Sequence, residues 1–511
     1  MGDPQVRSLS QALSSLPPVH SGDLRSSIKT KINQSDDNIP LLVVLDDDPT
    51  GTQTCHDISV LTQRDVPLLK STFTSELTTK TRGFFILTNS RALHPPEAKT
   101  LISEICKNLL EASKATDKDF EIVLRSDSTL RGHFPLEADV SEAALDRQAD
   151  SWILAPFFLQ GGRYTIDDVH YVAEGDDLVP AGQTQFAKDA TFGYKSSNLR
   201  DWVVEKSKGA ITADRVKSLS LSDIRTGGPD AICEQLTSFP KGSVVIVNAA
   251  AEEDMDVVVL GILEAASRGR RFLYRSGAAL VSSRLGIKPI APKSADALNL
   301  DKKVGGLVIA GSYVPKTTAQ LKTLREKAGD KLTTLEIQVS DLLNSEDKGK
   351  SAVNDAIHTA EEEIGRGQDV LLMTSRDLVT GKDERASLDI GTIVAKNLVR
   401  FLQDLNTRPR YVIAKGGITS SDMATKGLRM KCATVVGQAA PGVPLWECYE
   451  ESSKWAGIPY IVFPGNVGSD NGVSSMSTAS SARCRFEFKL EVHEETVLRM
   501  EKDVSRWGII V

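Results

Sequence analysis

Three consecutive carboxylates, Asp46, Asp47 and Asp48, follow the apolar run Leu41–Leu45 and lead into Pro49, Thr50 and Gly51. Such a run, with β-branched residues inside it, reads as a strand buried on both faces of a parallel sheet. Ligands of open α/β sheets bind at the carboxyl ends of strands of this kind. Acidic groups packed together there repel one another, so the cluster calls for a metal, a cation or a polar substrate; alternatively the three cap a helix or form an Asx turn. A second charged segment, Arg125 to His133, follows the strand Phe120–Leu124. Asp127 can take a hydroxyl proton or orient a sugar, Ser128 and Thr129 supply hydroxyls, and Arg131 offers a planar fork to a carboxylate or phosphate. Gly132 lets the backbone approach such a ligand. The same residues could instead make an Asp/Arg ion pair and a cap for a helix starting near Pro135. In a third loop, Gly161, Gly162 and Arg163 can turn N–H groups and a guanidinium onto an anion, or simply form a tight turn.

The second half of the chain carries glycine-rich turns after its apolar runs. Gly311 and Ser312 follow Leu307–Ala310, ahead of Lys316 and Thr317. Gly416 and Gly417 follow Tyr411–Lys415 and feed Thr419 and Ser420. A Gly-Gly turn opening a helix leaves N–H groups unpaired, which suits a nucleotide phosphate. The loop Gly437–Pro444, with Gly442, could wall a base or ribose, and Gly465 and Asn466 begin another loop after the last apolar run. Short αβ connections also use glycine, so each turn has an ordinary structural explanation. The chain has no Gly-x-x-x-x-Gly-Lys-Ser/Thr, Gly-x-Gly-x-x-Gly, Gly-x-Ser-x-Gly or His-Glu-x-x-His motif, so the commonest nucleotide, hydrolase and zinc-protease signatures are missing.

Stepping from these loops to the elements that hold them, strands are expected at 41–45, 83–88, 120–125, 151–155 and 243–248, with helices at 98–114 and 252–268. A Pro- and Lys-rich break follows. A second series has strands at 304–310, 333–339, 368–374, 410–414, 432–436 and 458–463, with helices at 316–328, 349–366, 387–405 and 421–430. This alternation predicts an α/β protein of two lobes, each a largely parallel sheet flanked by helices, with the active site in the cleft between them. The expected divisions are an N-terminal arm at 1–38, mobile or docked as a helix; a first domain at 39–287; a linker at 288–303; a second domain at 304–473; and a C-terminal extension at 474–511. The 511 residues include 40% hydrophobic and 25% charged residues, and the net charge is −7. That balance argues against a nucleic-acid or anionic-membrane partner. Six scattered cysteines without a Cys-x-x-Cys pair disfavour a disulfide framework or structural zinc. With no apolar stretch long enough to span a bilayer and no leader-like N-terminus, the expected location is cytoplasmic.

Asp-Asp-x-Thr-Gly at 47–51, Asp-Ser-Thr-Leu-Arg-Gly at 127–132, Gly-Gly-Arg at 161–163, Gly-Ser at 311–312, Gly-Gly-x-Thr-Ser at 416–420, Pro-Gly-Val-Pro at 441–444 and Gly-Asn-x-Gly at 465–468 together resemble the four-carbon acid sugar kinase family. The resemblance implies a sugar-acid-binding domain followed by a nucleotide-binding domain, and ATP-dependent phosphorylation of a tetronate or oxo-tetronate at its terminal hydroxyl. It puts Asp47, Asp48, Asp127 and Arg131 in the acid-sugar site, and Ser312, Gly416, Gly417, Thr419 and Gly442 in the ATP site. Thr50, Gly51, Ser128, Gly132, Gly162 and Arg163 join the substrate candidates, and Ser420, Gly465 and Asn466 the nucleotide candidates. The chain departs from the family pattern at Asp46, Pro49 and His133 and in its Gly-Gly-Ile-Thr turn at 416–419.

The mechanism expected on this basis has Arg131 clamping the substrate carboxylate and Asp127 or Asp47 accepting the attacking hydroxyl's proton. ATP lies on the second lobe's turns, and Mg²⁺ bridges its phosphates with Asp48 an indirect partner. The expected partners are the small-molecule sugar acid and ATP, with a homodimer allowed. Two rivals stand beside this reading. Asp46-x-Asp48-x-Thr50 also matches a haloacid-dehalogenase-type phosphatase with Asp46 as nucleophile and Lys415 as its distant lysine, and a non-catalytic sugar-acid-binding protein could share the fold.

Overall fold

A computed structural model of the chain describes residues 4–34, 39–311, 315–376, 384–465 and 473. Fifteen strands form one sheet. In chain order they are β1 (Leu41–Asp46), β2 (Ile58–Leu61), β3 (Gly83–Leu87), β4 (Phe120–Arg125), β5 (Ser151–Ala155), β6 (Val216–Leu219), β7 (Ser243–Val247) and β8 (Phe272–Ser276) in the first half. The second half adds β9 (Leu307–Ala310), β10 (Leu332–Ile337), β11 (Asp369–Thr374), β12 (Val412–Lys415), β13 (Cys432–Ala440), β14 (Val443–Glu447) and β15 (Tyr460–Phe463). Their spatial order is β6-β7-β5-β8-β4-β1-β3-β2-β13-β14-β15-β12-β9-β11-β10. Helices flank the sheet, and the protein is α/β with a largely parallel arrangement in each half.

All six residues of β1 are buried, as expected of a strand covered on both faces. One cover is the helix Pro95–Thr116, which starts on a proline and has Glu97 Oε2 accepting from His94 N at 3.1 Å. Its Ala98, Leu101, Ile102, Ile105, Cys106 and Leu109, spaced for one helical face, pack with Val43, Leu45, Phe84, Ile86, Ile122 and Leu124. Each fully buried Leu, Ile, Val or Phe among them is worth about 1.5–3 kcal/mol. This packing fixes the strand whose last residue is Asp46.

The two parallel halves are stitched edge to edge by β13 and β14, which run antiparallel. β2 pairs with β13 through Leu61↔Cys432, Val60↔Ala433, Ser59↔Thr434 and Ile58↔Val435, and β14 pairs with β15. Two side-chain hydrogen bonds cross the same joint: Trp446 Nε1 donates to Thr52 Oγ1 at 3.0 Å, and Gln53 Nε2 donates to the Gly442 carbonyl at 3.2 Å.

Strand order reverses twice. From β1 the chain goes to β2 and β3 on one side and then to β4 on the other, so a crevice opens at the carboxyl ends of β1 and β4, where Asp46 and Arg125 are register partners. From β9 it goes to β10 and β11 and then to β12 on the other side, opening a second crevice where Ala310 pairs with Lys415. Ligand sites of open α/β sheets lie at such reversals.

Several short elements escape the sequence reading: β2, β6, β8, β14, and a four-stranded sheet of Arg7–Ser8, Arg163–Ile166, Val169–Glu174 and Asp177–Pro180. Most are four or five residues long and carry polar residues, which blurs any period. The helix expected at 421–430 begins earlier, at Gly417, and widens into a π-type turn at Met423–Gly427. The described part of the N-terminal arm is docked, not loose: the helix Leu24–Gln34 buries Ile28 and Ile32. Its Arg25 Nε bonds Asp256 at 2.6 Å while Nη1 bonds the Ile287 carbonyl at 2.6 Å. Among the described residues all five cysteines are free, and no helix is long and apolar enough to cross a membrane. The expected extension at 474–511 lies outside the described residues.

Trp446 and Thr52 are both fully buried, and losing one partner of a buried hydrogen bond leaves the other unsatisfied. Trp446→Phe should therefore lower unfolding free energy by about 1–3 kcal/mol, read from urea midpoints of the full chain; an unchanged midpoint would mean the joint contributes nothing to stability.

Candidate active site

Asp46 turns beneath the loop that follows it. A Cβ on Gly51 would fall 1.9 Å from Asp46 Oδ1, and neither carboxylate oxygen has a hydrogen-bond partner. Burial pushes this carboxyl well above the ordinary range; Asp47 and Asp48 push the same way, and Arg125 only partly opposes them. Asp46 is thus a carboxyl of raised proton affinity, roofed by glycine. Asp48 is the reverse case: burial raises it, but Arg91, at 2.5 Å, and hydrogen bonds from Thr50 N (3.0 Å) and Thr50 Oγ1 (2.6 Å) outweigh burial and hold it low. Asp48 caps the short helix Pro49–Thr52, so the capping expected of this segment is realised at Asp48. Asp47 lies between them. It is 3% exposed, neither oxygen has a hydrogen-bond partner, and its contact with Arg91 is long, at 4.0 Å. Burial raises its proton affinity, with Arg91 opposing.

Asp127 faces this group from the β4 loop. Arg131 Nε donates to Asp127 Oδ2 at 2.6 Å, Thr129 Oγ1 donates to the same oxygen, and Arg91 Nη1 is 3.4 Å from Oδ1. Burial alone would raise this carboxyl, yet the two arginines hold it far below its usual range. Gly132 passes close by, since a Cβ there would come within 3.3 Å of Asp47 Oδ2. Ser128 contributes its carbonyl, which takes a hydrogen bond from buried His170 at 2.7 Å. Arg131 and Arg163 both lie over the Phe186 ring, at 5.3 and 5.5 Å. Arg131 is committed to Asp127 and, at 3.5 Å, Asp189. Arg163 is 8% exposed, has no ion-pair partner among the described residues, and its Nε has no hydrogen-bond partner. Gly162 belongs to the turn itself, its N–H bonded to Leu159 O at 2.8 Å.

Sequence reasoning missed four members of this pocket. Arg91 links Asp47, Asp48 and Asp127. Glu137 accepts from Ser90 Oγ at 2.5 Å, and burial beside Asp47 raises it to about 7. Arg275 donates to the Arg131 carbonyl at 3.1 Å, and Phe186 carries the two stacked arginines. Arg91 alone had a usable signal, its position just past the strand next to β1.

The second half meets this pocket at one turn. Gly416 has φ 108°, and a Cβ on Gly417 would lie 2.3 Å from Asp48 Oδ2. Thr419 Oγ1 lies 3.1 Å from where Gly311 would carry a Cβ. Ser420 is turned inward, its hydroxyl bonded to Ala414 O at 2.8 Å, and Gly442 sits at the joint between the halves, held by Gln53 and Gln438. Gly465 follows Pro464, whose carbonyl is taken by Lys415. Ser312 and Asn466 lie outside the described residues. Among the described residues no group of three or more His, Cys, Asp or Glu forms a metal cage.

Fold and site together define an α/β protein of two halves, each with one reversal of strand order at the carboxyl ends of its parallel strands. Residues 42–284 match a family model described as a sugar-binding N-terminal domain, and 307–473 one described as a nucleotide-binding C-terminal domain. The chain belongs to the family with this architecture, that of the four-carbon acid sugar kinases. Among solved structures it is similar to a putative tRNA synthase from Salmonella typhimurium LT2 (15% identity, TM-score 0.62, covering 86% of this chain and 98% of that one). It is also similar to a Haemophilus influenzae protein assigned to a domain family of unknown function (17% identity, TM-score 0.56, 86% and 99% covered). At these identities the likeness speaks for the fold. Comparison with curated proteins gives no match.

His170 supports the Asp127 loop as a neutral group: burial lowers it to about 4, against hydrogen bonding to Ser128 O. A histidine depressed on folding contributes stability that is complete above its unfolded value and is lost as pH falls toward the folded one. Between about pH 6.5 and 4 its share should fall by about 1.4 kcal/mol per pH unit. Urea midpoints across that range should fall more steeply for the wild type than for His170→Gln; parallel slopes would remove His170 from this role.

Proposed function

We propose that the chain is an ATP-dependent kinase acting on the terminal hydroxyl of a four-carbon sugar acid, a tetronate or oxo-tetronate. The observation that carries this reading is the contact of Asp48 with the space above Gly417, which brings a carboxylate–arginine pocket and a glycine turn into one site. Phosphoryl transfer asks a protein for positioning, charge neutralisation and exclusion of water more than for covalent chemistry.

In this reading Arg163, a buried guanidinium that has no ion pair among the described residues and lies over Phe186, binds the substrate carboxylate, and Arg131 beside it on the same ring is positioned by Asp127. That shifts the clamp from Arg131 to its neighbour, because Arg131 is already engaged. Asp47 accepts the hydroxyl proton: its oxygens are unpartnered and its proton affinity is raised, whereas Asp127 is held strongly ionised by its arginines. The hydroxyl oxygen forms a bond to the γ-phosphorus as the bond to the bridging oxygen breaks, and ADP leaves. The turn at Gly416 and Gly417 holds the phosphates. Mg²⁺ held largely by phosphate oxygens would need only one or two carboxylates; Asp48 would supply one, and the ion would neutralise phosphate charge.

The phosphatase alternative asks Asp46 to be an exposed, ionised nucleophile, and a carboxyl buried under Gly51 with its proton affinity raised does not suit that role. A non-catalytic sugar-acid binder is the reading that an absence of turnover would favour.

With Mg²⁺ present, ADP release should appear with at least one four-carbon acid or its oxo form, and no release across the series would overturn the kinase reading. Asp47→Asn should lower kcat about 10²- to 10⁴-fold with little change in either KM; normal turnover would exclude Asp47 as the base. Arg163→Gln should raise KM for the acid about 10- to 100-fold, the worth of charge-assisted hydrogen bonds, and leave KM for ATP alone.

A further inference from the structure

Lys415, in the second half, has no task in the mechanism above. It ends β12, level with Ala310 on β9 and Phe463 on β15, at the reversal of strand order. Its side chain is fully buried. The ammonium donates to the Pro464 carbonyl and lies 4.4 Å from the centre of the Phe463 ring, and among the described residues no carboxylate lies within 4 Å of it. An ammonium has three protons to donate. Taking such a charge out of water without a counter-ion is costly, and a hydrophobic side chain would fill the same space without that penalty. The position of the cost points to a use: Gly416 and Gly417 follow immediately, and Gly417 is where the sugar half touches the turn.

We propose that Lys415 grips the phosphoryl group being transferred, its ammonium meeting a phosphate oxygen of the nucleotide in addition to the Pro464 carbonyl. The proposal rests on the nucleotide reading of the second half. Asp48 does not compete for the lysine, because its carboxylate is held by Arg91 and Thr50. The groups facing Lys415 from its neighbours are Lys316 in the first turn of the helix Pro315–Ala328, the Phe463 ring, and the Pro464 carbonyl. Of these Lys316 is the charge that moves its proton affinity, acting with burial to bring the ammonium down to about 7. The negative charge of a phosphate beside the ammonium opposes both influences, so nucleotide binding draws a proton onto Lys415.

The test is calorimetric titration of ATP with Mg²⁺ into the full chain at about pH 8, above the free lysine's depressed value, in two buffers of different ionisation enthalpy. Wild type should take up a substantial fraction of a proton per nucleotide. Lys415→Met should bind ATP roughly 10- to 100-fold more weakly without that uptake, while its affinity for a four-carbon acid stays within about twofold of wild type. Lys415→Arg, charged at any working pH, should keep more of the affinity and lose the uptake. Thermal unfolding checks that each variant is folded, and Lys415→Arg carries the test if the methionine variant is not. Wild-type affinity and wild-type proton uptake in a folded variant would overturn the role of Lys415 and leave the kinase reading standing. Failure of the wild type to bind ATP at all would overturn the nucleotide reading and this inference with it.

Discussion

A ladder of backbone hydrogen bonds sets the distance between the two halves of this molecule. Two-domain enzymes commonly meet across a flexible interface, but here β2 and β13 pair in register, so the separation of the halves is a property of sheet geometry. With β13 and β14 inserted between the parallel sets, the carboxyl ends of β1 and β12 are brought close enough for Asp48 to lie against Gly417. The hydrogen bonds from Trp446 to Thr52 and from Gln53 to Gly442 reinforce this spacing from the side-chain level.

Given that spacing, the problem left to the chain is charge. Asp46, Asp47, Asp48, Asp127 and Glu137 share one buried region with Arg91, Arg125, Arg131, Arg163 and Arg275. The carboxylates divide by their partners. Arginine holds Asp48 and Asp127 low in proton affinity, burial beneath Gly51 holds Asp46 well above the ordinary range, and Asp47 is raised by burial with Arg91 opposing. Pairs of acids pushed apart in this way are how one pocket assigns separate acid and base roles.

Much of the scaffold was legible because long apolar runs announce buried parallel strands: β1, β4, β5 and β7 fall where the sequence puts them. The ends of those strands were legible for the same reason, which is why Asp47, Asp48, Asp127 and Arg131 meet as expected. The edge-to-edge joint was not. Ile58–Leu61 is too short to show a period, and the pairing of two strands more than 370 residues apart leaves no local trace. Arg91, Arg275 and Phe186 were missed because each reaches the pocket from a different element, and only the folded chain brings them together. Ser420 illustrates the opposite error: its neighbours suggest a phosphate ligand, but the first turn of its helix points the hydroxyl back to Ala414.

The contact between Asp48 and Gly417 also bears on how such proteins diversify. The residue allowed at 417 is dictated by a side chain in the other half, so the two halves are not interchangeable modules. Hybrids assembled from distant relatives would inherit a steric mismatch at this point unless both positions travelled together, and the pair should drift through evolution as a unit.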